Sequence, residues 1–289
     1  MYTFKNTIKR VMFSLNLKGN LFEARGKLIM GILNITPDSF FTSNWNSDEN
    51  RIISIVEEML LHGLDILDIG GQSTRPGSTR ISAEEEMDRI LPAIKLVASK
   101  FPQLPISVDT YQCRVAEEAV RAGAHIVNDI SGGDMDPGMI STVAQLGVPY
   151  ICMHMQGTPE TMQKDPTYTN VVTDVIRSLA EKIKACEAAG IKDIIVDPGF
   201  GFGKNTIHNF ELLRGLPDLR ILGKPILAGL SRKATIYKTL GVSVDESLNG
   251  TTVMNTIAML NGADIIRVHD VKEANEARKL VEAYKKTAP

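Results

Sequence analysis

Eight short apolar runs, each closing on or followed by a polar side chain, constrain this chain more than any other feature. They occupy residues 28–35, 66–70, 106–109, 125–130, 148–153, 194–197, 225–230 and 264–269. Their Ile, Val and Leu run continuously rather than alternating with polar residues, the pattern of strands buried on both faces of a parallel sheet. Stretches of helical periodicity lie between them, among them 52–62, 83–99, 114–122, 171–189 and 250–261. Ser82 with Glu85 predicts a capping box at the start of the second stretch. Gly63, Gly123, Gly190 and Gly262 each follow a helix end, where a residue at positive φ is wanted.

The polar residues at the run ends choose between the two folds built from such units. They are Asn34, Asp68, Asp109, Asn128, His154, Asp197, Ser231 and the pair Arg267 and His269. An open doubly wound sheet would string them along an edge too long for one small ligand. A (β/α)8 TIM barrel brings all eight C-terminal strand ends to one mouth, where such barrels keep their active sites. The barrel is therefore the expected fold. A barrel of this kind takes about 250 residues, so the 289-residue chain reads as one barrel domain over 1–289. Residues 1–26 form its N-terminal extension, with a hairpin expected over 11–26 and turns at Gly19-Asn20 and Gly26.

Composition removes several classes of partner. With a formal net charge of −2, the chain has no global field to draw in nucleic acid or an acidic membrane, so a bound anion must be met by local charge. No stretch approaches the roughly 18 apolar residues of a membrane span. Cys113, Cys152 and Cys186 are scattered and odd in number, which suits a reducing cytoplasm better than a disulfide framework or a structural zinc site.

At the expected mouth, Asp109, Asn128 and Asp197 offer two carboxylates and an amide, a set suited to a flat ring with several N–H donors and a carbonyl. Lys233 and Arg267 add positive charge, and an Arg plane can also stack on a ring. Asn34, Arg75, Arg267 and His269 suit phosphate oxygens, directly or through a metal. A single Asp or Asn at a strand end more often makes a cap or an Asx-turn than a ligand contact. Eight polar ends in register are harder to explain that way. Asp68 reads equally as a brace for the Gly70-Gly71 loop, and Met155 as core filling beside a pocket-lining Met153. His62, His125 and His208 have no ligand spacing. The segment DPGFGFGK at 197–204 fits neither a P-loop nor a dinucleotide fingerprint, but suits a loop whose backbone approaches a ligand. Segments 36–46 and 72–80 read as lids over the mouth.

Taken together, MGILNITPDSF (30–40), DIGGQSTRPG (68–77), SVDT (107–110), NDISGG (128–133), MHMQGTP (153–159), DPGFGFGK (197–204), SRK (231–233) and RVHD (267–270) resemble the dihydropteroate synthases, in that family's order. The resemblance runs from about residue 5 to the C-terminus. It implies a TIM-barrel transferase of folate biosynthesis that joins 6-hydroxymethyl-7,8-dihydropterin pyrophosphate to 4-aminobenzoate. It further implies a Mg²⁺ cofactor, a cytoplasmic homodimer and an SN1-like loss of pyrophosphate. By motif, the pterin is expected on Asp109, Asn128, Ile130, Met153, Asp197, Leu227, Gly229, Lys233 and Arg267. The aminobenzoate is expected among Phe40, Thr74, Arg75, Pro76, Phe202 and Lys233. The pyrophosphate falls to Asn34, Arg75, Arg267 and His269, with Asn34 also toward the metal. The chemical step is expected to rest on Asp109, Lys233, Arg267 and His269.

Three positions depart from the family pattern. Thr42 stands where the first loop usually carries an Asp, with Asp48 a substitute if the loop folds back. Gln72 stands in place of Glu, and Ala234 in place of Ser. Two other enzymes share the barrel signature: a pterin-binding methyltransferase, and a Schiff-base aldolase using Lys233. A paralogue without turnover is a further alternative.

Overall fold

In the computed structural model, residues 11–36, 45–72 and 80–287 are described. Strands β3 (Leu28–Asn34), β4 (Ile66–Gly70), β5 (Ile106–Asp109), β6 (Ile126–Asp129), β7 (Tyr150–Met153), β8 (Ile194–Asp197), β9 (Leu227–Ala228) and β10 (Ile265–Val268) form one parallel sheet. Its order is β8-β7-β6-β5-β4-β3-β10-β9. The ends meet: Val196 bridges Ile226 in parallel, and its N–H donates to Pro225 O at 2.9 Å. The sheet is therefore an eight-stranded barrel, as the polar strand ends required.

The barrel wall is covered by α1 (Trp45–Leu61), α2 (Ala83–Lys100), α3 (Cys113–Ala122), α4 (Met139–Leu146), α5 (Val171–Ala189), α6 (Thr206–Arg214), α7 (Ala234–Leu240), α8 (Leu248–Leu260) and α9 (Val271–Lys286). Each amphipathic helix turns its apolar stripe to the strands; α3 does so with Val115, Ala116, Ala119 and Val120. The four glycines expected at helix ends all have positive φ, from 94° at Gly63 to 129° at Gly123. The capping box at α2 is only half made. Ser82 Oγ accepts from Glu85 N–H at 3.1 Å, but the Glu85 carboxylate turns to Arg89 at 2.5 Å, a stronger charged donor than a backbone amide. A complete capping box forms instead at α6, between Asn205 and His208.

The hairpin is β1 (Phe13–Leu17) and β2 (Asn20–Ala24). Its turn lies one residue earlier than expected, at Lys18 and Gly19, with φ of 54° and 93°. Asn20 instead pairs with Leu17. Two residues at positive φ give the twist that a two-residue hairpin needs. Leu15, Leu17 and Ala24 pack against Leu28, Met30, Ile66, Ile126, Ile151, Ile195, Leu227 and Ile265, all buried, so the hairpin plugs the N-terminal end of the barrel. Side chains on one face of a strand recur every second residue. The inward positions two residues beyond this apolar layer are Asp68, Asn128, Met153, Asp197, Gly229 and Arg267. The barrel interior thus changes from hydrocarbon to polar within one side-chain layer. β9 is much shorter than the 225–230 run. Pro225 has no N–H to give, and the Ile226 N–H goes to the Asp264 carboxylate at 3.0 Å rather than to a ladder.

Candidate active site

Arg267 is the centre of the polar layer. Its Nε donates to Asp68 Oδ2 at 2.6 Å and its Nη2 to Asp109 Oδ2 at 2.5 Å. Asn128 Nδ2 donates to the same Asp68 oxygen at 3.1 Å. The β4/β5/β6 register makes this possible by setting Gly70 beside Asp109, and Asp109 beside Asn128. Burial pushes the Asp109 carboxyl up to about 7; Arg267 opposes the rise, and the neighbouring Asp68 adds to it. Burial would lower the Arg267 guanidinium, but Asp68 and Asp109 outweigh it and hold the group above its ordinary range.

Across the mouth stand Asp197 and Lys233. Asp197 Oδ1 accepts from Gly199 N–H at 2.7 Å, so this carboxylate makes an Asx-turn and still faces the pocket layer. Burial raises its carboxyl, with Lys233 acting against the shift. Lys233 Nζ donates to Phe200 O and lies 4.7 Å from the centre of the Phe202 ring. Burial pushes the Lys233 ammonium down to about 8, with Asp197 opposing.

Between them runs the Gly-rich loop. Its backbone is held by Lys204, a buried residue whose Nζ meets His154 Nδ1 at 2.9 Å and the carbonyls of Gly199 and Phe202 at 3.0 Å each. Burial lowers Lys204 to about 7 and His154 to about 3, and the Lys204 charge adds to the second shift. Near the rim, Ser231 Oγ lies 3.0 Å from His269 Nδ1 and accepts the His269 N–H at 3.2 Å. Arg232 makes a two-pronged bond to Asp270 at 3.0 and 2.8 Å. Tyr111, Ile130 and Met153 form an apolar cluster at the mouth, joined by Met135, Met155 and Phe202. A separate cavity of about 450 Å³, lined by Phe22, Leu60, Leu64 and Phe101 among others, lies at the plugged end.

Comparison with known proteins gives this constellation a family. The family model described as "Pterin binding enzyme" matches residues 30–269. The dihydropteroate synthase of Escherichia coli K12 is 44% identical over 257 residues, which cover 88% of this chain and 90% of that protein. This chain belongs to the dihydropteroate synthase family. Dihydropteroate synthase function, a transferase activity of folate synthesis, goes with that membership. A dihydropteroate synthase of Xanthomonas albilineans, solved with 4-aminobenzoic acid, matches with a TM-score of 0.87 at 39% identity, covering 96% of this chain and 99% of that one. A dihydropteroate synthase of the same organism, solved in complex with 7,8-dihydropteroate, matches with a TM-score of 0.84 at 36% identity, covering 96% and 100%.

For a dihydropteroate synthase, the structure sorts the expected residues clearly. It brings together Asp109, Asn128, Ile130, Met153, Asp197, Phe202, Lys233 and Arg267 around the mouth, with Gly229 3.9 Å from Lys233 Nζ, measured from an ideal Cβ. Leu227 sits one layer lower, in the apolar plug beneath them. Asn34 is the half-buried last residue of β3, paired in register with Gly70, and His269 is fixed by Ser231. Phe40, Thr42, Thr74, Arg75 and Pro76, with most of both expected lids, lie outside the described residues. Asp48 is buried in the first turn of α1. Gln72 Oε1 accepts the Ile81 N–H at 2.9 Å, tying together the two ends of the second loop.

Two readings change. Asp68 does not brace the glycine loop; it is an anchor of Arg267, because its side chain shares the inward face with Asn128. Met155 is half-buried at the mouth rather than filling the core, since β7 has ended at Met153. Sequence reasoning missed Lys204 and His154 as a pair. The only signal was a Lys closing a glycine-rich run after a strand-end His.

Proposed function

We propose that the chain condenses 6-hydroxymethyl-7,8-dihydropterin pyrophosphate with 4-aminobenzoate to 7,8-dihydropteroate and pyrophosphate. One observation carries this reading: Asp109, Asn128 and Asp197 present acceptors to a pocket in which Arg267 is locked by two carboxylates. A pterin ring offers the N–H donors such acceptors need, and its flat face suits a guanidinium held in one plane. The 4-aminobenzoic acid and 7,8-dihydropteroate held by the two Xanthomonas relatives agree with the second substrate and the product.

The residues suit a dissociative step. As pyrophosphate leaves the methylene carbon, positive charge spreads into the dihydropterin ring. Asp109 and Asp197 stabilise it electrostatically from fixed positions in a buried site. Arg267 and His269 bind the departing phosphates. The arylamine nitrogen then attacks the methylene carbon and gives up one N–H proton to solvent, leaving the secondary amine of the product, with Phe202 and Lys233 shaping its approach. No covalent bond to the protein is required.

Mg²⁺ takes about six oxygen ligands and is commonly held by only one or two protein groups plus substrate phosphates and water. Asn34 supplies one amide oxygen, and among the described residues no cluster of three or more His, Cys, Asp or Glu could hold a metal alone. That donor set fits a Mg²⁺ that arrives with the pyrophosphate and is held in part by Asn34. When bound, it would neutralise charge on the leaving group.

A homodimer in the cytoplasm belongs to the same reading. Val253, Ile257 and Leu260 make an exposed apolar stripe on α8, and Ile207 and Phe210 another on α6, surface that a second copy of this chain would cover. Free Cys113, Cys152 and Cys186 suit a reducing compartment. Among the described residues, no helix is long and apolar enough to cross a membrane. Light scattering of the purified protein tests the dimer. The function is tested by incubating the protein with both substrates and Mg²⁺: dihydropteroate should form, cease with a chelator and return with added Mg²⁺. Failure to form it under these conditions would sink the proposal.

A further inference from the structure

The loop 199–203 has an unusual backbone arrangement. Each of its five carbonyls accepts from a side chain: Gly199 O and Phe202 O from Lys204, Phe200 O from Lys233, Gly201 O from Gln163, and Gly203 O from Tyr168. Alternate residues Gly199, Gly201 and Gly203 have positive φ, of 68°, 81° and 60°, which turns successive peptide planes in opposing directions. An ordinary loop would leave several of these carbonyls to water. This one is captured by protein on every side.

Lys204 occupies the inner side of that arrangement. It is 2% exposed, and its three N–H bonds are matched by His154 Nδ1, Gly199 O and Phe202 O, with His154 O at 3.5 Å as a fourth acceptor. Among the described residues, no carboxylate makes a hydrogen bond or ion pair with it. The imidazole acts as acceptor at Nδ1, so its own proton is assigned to Nε2.

The residues that Lys204 holds are the ones that reach into the pocket on their other side. Gly199 gives its N–H to Asp197, and Phe202 lays its ring against Lys233. Phe200, between them, gives its carbonyl to Lys233. We propose that Lys204 is a positioning residue: by closing this loop from within, it fixes both Asp197 and Lys233 without touching the substrate. Burial lowers the Lys204 ammonium to about 7, and the nearby Asp197 charge opposes that shift without a direct contact. The functional half of this inference rests on the pterin-binding reading above; the structural half does not.

The test uses Lys204→Met, which keeps the stem and removes the donors, in the full chain and in a Lys233→Ala background. Hydrogen exchange of the 197–204 peptide reads the loop directly. Gly199 N–H and Gly201 N–H are bonded to Asp197 and Asn209 at 2.7 Å each, and should exchange about tenfold faster or more in Lys204→Met. Calorimetry with 6-hydroxymethyl-7,8-dihydropterin pyrophosphate should show about tenfold weaker binding, and that loss should be smaller, though not abolished, when Lys233 is already absent, since Asp197 remains to be misplaced. Unchanged loop exchange, or an affinity loss of equal size in both backgrounds, overturns the positioning role. If Lys204→Met fails to fold, Lys204→Gln, which retains an amide donor, is scored by the same two measurements. Unmutated protein that does not bind the pterin pyrophosphate overturns the functional reading instead, and loop exchange alone then decides the role of Lys204.

Discussion

Asp68 and Arg267 meet inside the barrel through one oxygen: Asp68 Oδ2 takes the guanidinium Nε at 2.6 Å and the Asn128 amide at 3.1 Å. A carboxylate only accepts, so the Asn128 NH₂ must face Asp68 and its carbonyl must face elsewhere. The Asn128 carbonyl oxygen is thereby left as an acceptor at the mouth. Together with Asp109 and Asp197, it gives the mouth three acceptors around one immobilised cation.

Asp68→Asn should weaken pterin pyrophosphate binding by about tenfold or more, through the loss of this orientation rather than of a direct contact. Calorimetry checks it. Affinity equal to the parent protein would show that Arg267 and Asn128 hold their places without Asp68.

The pH dependence of kcat/KM should be bell-shaped. Burial raises Asp109 to about 7, so its carboxylate is lost as pH falls through that value. Burial lowers Lys233 to about 8, so its ammonium is lost as pH rises through that value. The maximum is expected between them, since kcat/KM reports the free enzyme's groups. Lys233→Met should lower activity and remove the basic limb; a basic limb that persists assigns it elsewhere.

Gly199→Ala should be far more disruptive than Gly223→Ala. Both glycines have positive φ, at 68° and 64°. A Cβ on Gly199 would stand 1.9 Å from His154 O, whereas one on Gly223 meets nothing within 4 Å. The backbone term, about 1–2 kcal/mol, is common to both, so the difference in thermal midpoint isolates the clash. Equal midpoints would mean the loop moves aside freely.

Glu86 should lower stability at neutral pH. It is fully buried, its Oε2 takes Gln112 Nε2 at 2.6 Å, and its Oε1 has no partner among the described residues. Burial raises its carboxyl from 4.5 to about 7, against the Gln112 bond. Between those values the folded chain keeps a proton that the unfolded chain has lost, so the contribution of Glu86 to stability falls as pH rises through the window. Glu86→Gln should therefore melt close to the parent at about pH 5 and a few degrees higher at about pH 8. A midpoint unchanged at the higher pH would contradict this.

Much of the barrel was legible because its physics is local. The runs at 66–70, 106–109 and 194–197 coincide with β4, β5 and β8, and 171–189 with α5. Continuous apolar runs need cover on both faces wherever they lie, and helix periodicity is set by the backbone. The shortened β9 was not legible, because the Asp264 carboxylate that takes Ile226 N–H is 38 positions away. Neither was the half-made cap at Glu85, since propensity at a helix start says nothing about which donor an acidic side chain will choose.

For the site, the sequence by itself determined which chemical groups gather at the mouth: strand-end polarity in a parallel sheet leaves a barrel no other place for them. Only the tertiary structure decided their partners. Asp68 and Arg267 are 199 positions apart, and Lys204 and His154 are 50. Hydrogen bonds act over about 3 Å, so a choice between candidate acceptors depends on register and inward direction, which the closed barrel alone supplies. That closure made Asp68 an anchor, turned Asn128 into an acceptor and set Lys204 behind the loop that carries Asp197.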